Sequence, residues 1–148
     1  MTPSARQSAF LALRSIAYQD AFADIALDRV LRSSQLDRLD RSFTTELVYG
    51  CTRRRRTLDA LIDQFATKPA SQQPPDLRII LHIGLYQLRY LSQVPPSAAV
   101  TTTVDLAKQN RLSALAGFVN GLLRQYVRQA VDGDPLRLPT EPIAQLGV

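Results

Sequence analysis

Between Asp76 and about Gln93 runs a segment whose apolar residues, taken at the 3.6-residue period of an α-helix, occupy two opposite faces. Leu77, Leu81, Gly84, Leu85, Leu88 and Leu91 fall on one side, and Ile79, Ile83, Tyr86 and Tyr90 on the other. A surface helix would leave one of these faces in water. The pattern therefore predicts a central helix with partners packed on both sides. Arg78, His82, Arg89 and Gln93 share the narrow polar strip that remains, where His82 reads as a solvated or packing residue rather than a catalyst.

The rest of the chain supplies helices to pack there. From Thr2 to Ala130 the apolar spacing is helical, with no alternating β-branched run and no Asn-Gly or Asp-Gly hairpin signal, so the fold class is all-α. Thr2 or Ser4 is placed to cap a first helix bearing Ala9, Phe10, Leu13, Ile16 and Ala17. A second runs over 23–33, a third starts near Asp37 and carries Phe43, Leu47 and Cys51, and a fourth carries Leu58, Leu61, Ile62 and Phe65. The polar, proline-bounded stretch 68–75 is expected to separate two helical halves. Beyond the central helix, Ser97 is placed to cap a helix through Val100, Val104 and Ala107. Asn110 and Arg111 turn the chain into a last helix near 113–130, expected to bury Leu115, Phe118, Val119, Leu122, Leu123 and Tyr126. Residues 132–148 carry Pro135, Pro139 and Pro142 without periodicity and read as a linker after a helical domain of residues 1–131.

Several function classes are disfavoured. The 148 residues are 45% hydrophobic, enough for one core, and no apolar run approaches the roughly 18 residues that span a bilayer. A cytosolic protein that does not enter membranes is expected. One cysteine, one histidine and scattered glycines provide neither a metal cage nor a phosphate-cradling loop. Cys51 shares helical spacing with Phe43 and Leu47, so it reads as core. No catalytic centre, cofactor or metal site is expected in this chain.

Charge points elsewhere. The 18 basic residues comprise 16 arginines and two lysines, and within 1–131 there are 17 basic and 10 acidic groups, leaving +7. Arginine pairs bidentately with phosphate and stacks on bases, which suits nucleic acid, although a GC-rich genome also favours arginine codons. The run Arg53-Arg54-Arg55-Arg56 cannot share one helical face. An unbroken helix would set Arg54 within the Phe43, Leu47, Leu58, Leu61 stripe, so the helix should bend or break between Gly50 and Thr57, leaving guanidinium groups at a corner. Pairing with Glu46, Asp59 or Asp63 is the plain alternative. A second patch, Gly117, Asn120, Gly121, Arg124 and Arg128, lies opposite the apolar arc of the last helix and suits phosphate or a close-packed helix. Arg6 lies in the first turn of its helix, where an anion would offset the macrodipole. No aromatic platform for splayed bases is evident on this helical surface.

Four stretches together resemble the NusB-like domain: 46–59 (ELVYGCTRRRRTLD), 85–88 (LYQL), 95–100 (PPSAAV) and 116–124 (AGFVNGLLR). The likeness covers about residues 4–130, and the arginine run before Thr57-Leu58-Asp59 is closer to the domain at the N-terminus of the Sun/RsmB methyltransferases than to free-standing NusB. The resemblance implies two three-helix subdomains around a central hydrophobic helix, and RNA binding. It implies that a longer protein would methylate cytosine-5 of small-subunit ribosomal RNA with S-adenosylmethionine. The expected partners are ribosomal RNA and the protein's own methyltransferase part, whose glycine-rich cofactor loop and paired cysteines this sequence does not contain. Two departures stand out. Thr101-Thr102-Thr103-Val104 replaces the family's Asn-Glu-Ala-Val box, and Arg6 and Arg14 alone represent the N-terminal basic motif through which NusB holds RNA. The RNA-binding candidates are thus Arg6, Arg14, Arg53, Arg54, Arg55, Arg56, Asn120, Arg124 and Arg128. A complete transcription antitermination factor and a helical protein-interaction module are the alternative readings.

Overall fold

A computed structural model describes residues 4–137, and among these the chain forms seven α-helices and no strand. They are α1 (Ala5–Gln19), α2 (Ala23–Ser33), α3 (Arg38–Arg53), α4 (Arg55–Phe65), α5 (Pro75–Tyr90), α6 (Pro96–Gln109) and α7 (Ala116–Ala130). Two compact units meet in sequence at the Arg53–Arg54 step. The first holds α1–α3; in the second, α4, α6 and α7 pack on α5. The all-helical fold is as expected; the first unit is a three-helix set, and the second is three helices packed on the hydrophobic α5. The division, however, falls at the arginine run and not at 68–75. That loop belongs to the second unit, where Ala70–Gln72 makes a 3-10 turn and the Ala70 N–H donates to Asp63 over 2.7 Å.

Local chemistry explains the helix ends. Ser4 caps α1, its Oγ accepting from the Gln7 N–H at 3.1 Å, and Asp37 caps α3, its Oδ1 accepting from the Asp40 N–H at 2.8 Å. Thr2, the other candidate cap, lies outside the described residues. Ser97 does not cap α6. The helix starts at Pro96, whose missing N–H costs nothing in a first turn, so Ser97 is already helical. Arg111 ends α6 in the left-handed region (φ 66°) while the Leu112 N–H reaches back to the Ala107 carbonyl at 2.9 Å. Inside the first unit, α1 packs on α2 and α3, burying Ala9, Phe10, Leu13, Leu27, Leu47 and Val48. Cys51 is buried there too, which raises its thiol far above the ordinary value and leaves it a core residue. Ala17 is exposed and Phe43 half-buried, unlike the expected stripe.

In the second unit α5 has both of its faces covered, with Leu77, Ile80, Leu81, Ile83 and Leu85 at 0–1% exposure. It stops at Tyr90, so Gln93 lies in the following turn rather than on the polar strip. Gly84 is the point of closest approach: a Cβ there would lie 2.9 Å from both the Thr103 methyl of α6 and a Leu123 methyl of α7. Thr103 is fully buried and donates its hydroxyl to the Ala99 carbonyl at 2.7 Å, so the threonine box turns a methyl to α5 without leaving an unpaired hydroxyl. Gly121 contrasts with Gly84, because nothing lies within 4 Å of its Cβ position. A paired experiment separates the two. Alanine in an open helix interior is favoured over glycine by about 1 kcal/mol, so Gly121→Ala should raise stability. Gly84→Ala should lower it by about 1–3 kcal/mol through overpacking against a stiff, β-branched neighbour. Urea unfolding of both variants checks this, and equal signs would contradict the packing at Gly84.

Candidate nucleic-acid interface

The arginine run breaks the helix where its stripe requires. α3 ends at Arg53, Arg54 adopts φ −100°, ψ 18°, and α4 resumes at Arg55. The chain thereby turns Thr57, Leu58, Leu61 and Ile62 into the core of the second unit, and all four arginines are exposed. None forms an ion pair among the described residues. Two of the carboxylates expected to neutralise them are engaged otherwise, Asp59 by Arg78 and His82 and Asp63 by the Ala70 amide. Arg54 also provides no side-chain cap, so free amides at the α4 N-terminus add positive potential to Arg55 and Arg56 in the first turn. Uncompensated positive charge at a helix start favours an anion.

One member of the run has a partner of another kind. The Arg54 guanidinium lies 5.0 Å from the ring centroid of Tyr90, the last residue of α5, which is partly exposed. Tyr90, expected on a packed face of the central helix, is thus only partly buried. Behind Tyr90 the structure is braced. Tyr86 lies 5.1 Å away, ring to ring, and the Arg89 guanidinium 5.7 Å from the Tyr90 ring. Arg89 itself donates to both oxygens of Asp134, at 2.7 and 2.9 Å, and to the Tyr126 hydroxyl at 3.4 Å. Its bond to Asp134, working against burial, raises the guanidinium above its usual value, and the same bond lowers the Asp134 carboxyl. The segment after α7 is tied down further: Gln64 donates to the Pro135 carbonyl at 2.6 Å and accepts from the Arg137 N–H at 2.8 Å, and Pro135 is buried. The first residues of the expected linker are therefore fastened to α4 and α5, while 138–148 lie outside the described residues.

Of the second patch, Arg124 and Arg128 line an open groove of about 450 Å³ between α6 and α7 together with Pro96, Ser97, Val100 and Val127, while Gly117, Asn120 and Gly121 lie outside that lining. The Asn120 side-chain oxygen accepts from Arg124 Nε at 3.0 Å and steers that guanidinium along the helix. Gly117 and Gly121 have no atom within 4 Å of their Cβ positions, so neighbouring helices of this domain do not account for them. Phe118, expected in the core, is 37% exposed, because α7 turns Ala116, Val119, Leu122, Leu123 and Tyr126 inward. In the first unit Arg6 stands half-buried with its guanidinium 4.9 Å from the Phe43 ring centroid. Burial lowers its pKa and the Asp40 charge partly restores it. Arg14, exposed two turns further along α1, lies 5.2 Å from the Tyr18 ring.

His82 is not solvated; it is 7% exposed. Its Nε2 donates to Asp59 Oδ1 at 2.7 Å, while Arg78 one turn earlier donates Nε to Oδ1 at 3.0 Å and Nη2 to Oδ2 at 2.5 Å. Burial alone would raise the Asp59 carboxyl, but the His82 and Arg78 hydrogen bonds and charges outweigh it and hold the group well below the carboxylate range. This cluster joins α4 to α5 and thus sets the start of α4 that carries the arginines. Arg78 and His82 at i, i+4 with a carboxylate on the preceding helix was the available signal; their strip looked solvated only because its cover comes from another helix. Among the described residues no three His, Cys, Asp or Glu side chains could hold a metal ion, and no helix is long and apolar enough to cross a membrane.

The fold is an all-helical domain built on a two-faced central helix, with four exposed arginines at the break between α3 and α4 and two more lining the α6–α7 groove. The chain belongs to the NusB family, whose sequence profile matches residues 3–128. It is 58% identical over 130 residues to the probable ribosomal RNA small subunit methyltransferase B of Synechocystis sp., aligning 88% of this chain with 29% of that protein. It is 41% identical over 118 residues to ribosomal RNA small subunit methyltransferase B of Thermus thermophilus, aligning 79% of this chain with 29% of that protein. The chain thus spans under a third of the length of these relatives. Among solved structures, antitermination factors NusB and NusE in complex with dsRNA include a chain matching with TM-score 0.77 at 21% identity, over 84% of this chain and 94% of that one. T. maritima NusB matches with TM-score 0.76 at 19% identity, over 87% and 94%. These likenesses show the shared fold.

Proposed function

We propose that this chain is the RNA-binding part of an rRNA small-subunit cytosine-5 methyltransferase, holding substrate ribosomal RNA for a catalytic part elsewhere in the polypeptide. The observation that carries the reading is the corner at Arg54, where four exposed arginines have no carboxylate partner among the described residues and sit at an uncapped helix start. Arg124 and Arg128 in the α6–α7 groove, with Asn120 orienting Arg124, serve as further phosphate contacts, as do Arg6 and Arg14 on α1. The relatives at 58% and 41% identity are methyltransferases, which favours this reading over a free-standing antitermination factor. S-adenosylmethionine belongs to the catalytic part. The α6–α7 groove does not fit it, because no carboxylate lines the groove to hold ribose hydroxyls and no strand leads into either helix.

The test is salt-dependent RNA binding. Removing one phosphate-binding arginine should lower the slope of log K against log salt by about 0.7–0.9, so Arg54→Ala with Arg55→Ala should reduce it by nearly two such steps. Affinity at low salt should fall on the order of tenfold or more for any RNA. Arg137→Ala, whose backbone bond to Gln64 is preserved, should change neither quantity. Unchanged RNA affinity in the double variant, together with weakened association with the catalytic part in the full-length protein, would make the run a domain interface instead.

A further inference from the structure

We propose that the ring of Tyr90 is a stacking site for an unpaired RNA base, covered in the RNA-free protein by the Arg54 guanidinium. The proposal rests on the reading of the arginine corner as an RNA contact and names what that corner recognises beyond phosphate. A base-stacking site requires a ring face reachable from solvent, a support that keeps the ring in place, and cations near enough to hold the adjoining phosphates. Tyr90 has all three. It is partly exposed at the C-terminal end of α5, and of the two guanidinium groups over its ring the nearer, Arg54 at 5.0 Å, is exposed and has no carboxylate holding it there, whereas Arg89 at 5.7 Å is held by Asp134. Its support is rigid, since Tyr86 lies 5.1 Å away and Arg89 is locked by two hydrogen bonds to Asp134. Arg55 and Arg56, exposed on the first turn of α4, follow Arg54 directly.

The Arg54 contact marks the ring as a surface that accepts a planar π-system or cation, and a nucleobase has the same flat shape. Arg54, itself exposed, on a partly exposed ring is held by only about 1 kcal/mol, so a base can displace it and free the guanidinium for the backbone phosphate next to that base. The exchange trades one stacking contact for another and adds an ion pair. It requires an unpaired nucleotide, because a base within a duplex cannot present its face. The corner should therefore distinguish a bulged or single-stranded segment from a continuous helix.

The experiment compares a short single-stranded RNA with the same sequence in a duplex, for wild type, Tyr90→Phe and Tyr90→Leu. Tyr90→Leu is expected to lose about tenfold in affinity for the single strand and to keep its duplex affinity within about twofold, whereas Tyr90→Phe keeps both. A scan of single abasic sites along the strand, read on wild-type protein, gives a measure that does not depend on the variant folding. One position should cost about tenfold, and that position should be silent in Tyr90→Leu. Wild-type binding that is salt-dependent but indifferent to every abasic site would overturn the stacking site while leaving the arginine corner in place. Equal losses on single strand and duplex in a normally melting Tyr90→Leu would also overturn it. Absence of salt-dependent binding in wild type would remove the arginine reading and the stacking site together.

Discussion

Ile83→Asp is expected to abolish the folded second unit. Ile83 is fully buried in α5, so the substitution removes an apolar side chain worth about 2–5 kcal/mol and places a carboxylate in the core. An unpaired buried charge costs several kcal/mol more. Together these rival the whole stability of a small domain, about 5–15 kcal/mol. Ile83→Val, which keeps the shape and loses one methylene, should cost only about 1 kcal/mol. Circular dichroism and urea titration of both variants decide the matter. An aspartate variant that melts like wild type would show that α5 has a solvated face.

The second large effect lies at Asp59. Asp59→Leu leaves the Arg78 guanidinium and the His82 N–H without their acceptor at a site where His82 is 7% exposed. Losing one member of a buried ion pair costs about 3–5 kcal/mol, but Asp59 and Arg78 keep some access to water, which reduces the expected loss to about 2–4 kcal/mol near neutral pH. Asp59→Asn keeps one acceptor oxygen and should fall between. The same carboxylate makes stability depend on pH. Its folded pKa lies below the unfolded value of about 3.9, so the unfolded chain binds the proton first as acid is added. The contribution is fully present above about pH 5 and is lost as pH falls through 3.9 toward the depressed folded value. Wild type should accordingly lose stability between pH 5 and pH 2 more steeply than Asp59→Leu, in which this group is absent. Parallel acid titrations of the two proteins would refute the pairing of Asp59 with Arg78 and His82.

Much of this molecule was legible from residue order because helical periodicity is a local property. The two-faced pattern of 76–93 was enough to require a central helix, since water cannot cover both faces favourably, and the structure places helices on both sides of α5. The break at the arginine run followed likewise from one steric fact, that Arg54 could not continue in an apolar stripe. Resemblance in four short stretches indicated the family. What periodicity does not carry is the identity of the neighbour across a gap. For His82 the strip left a solvated and a packing role both open, because the carboxylate that pairs with it and with Arg78 is on α4, and Tyr90 looked like core because the helix supplied its phase but not the arginine that covers its ring. Gly84 and Gly121 are the same residue in helices of one unit, yet one admits two neighbouring methyl groups and the other faces open space. The segment after α7 had no period to read, and in its described part Arg89 and Gln64, 45 and 73 residues away from the groups they hold, fasten Asp134 and Arg137. Sequence thus determined the helices and their inward faces through local spacing, while tertiary structure alone decided which charges are paired, because those pairings join residues far apart in the chain.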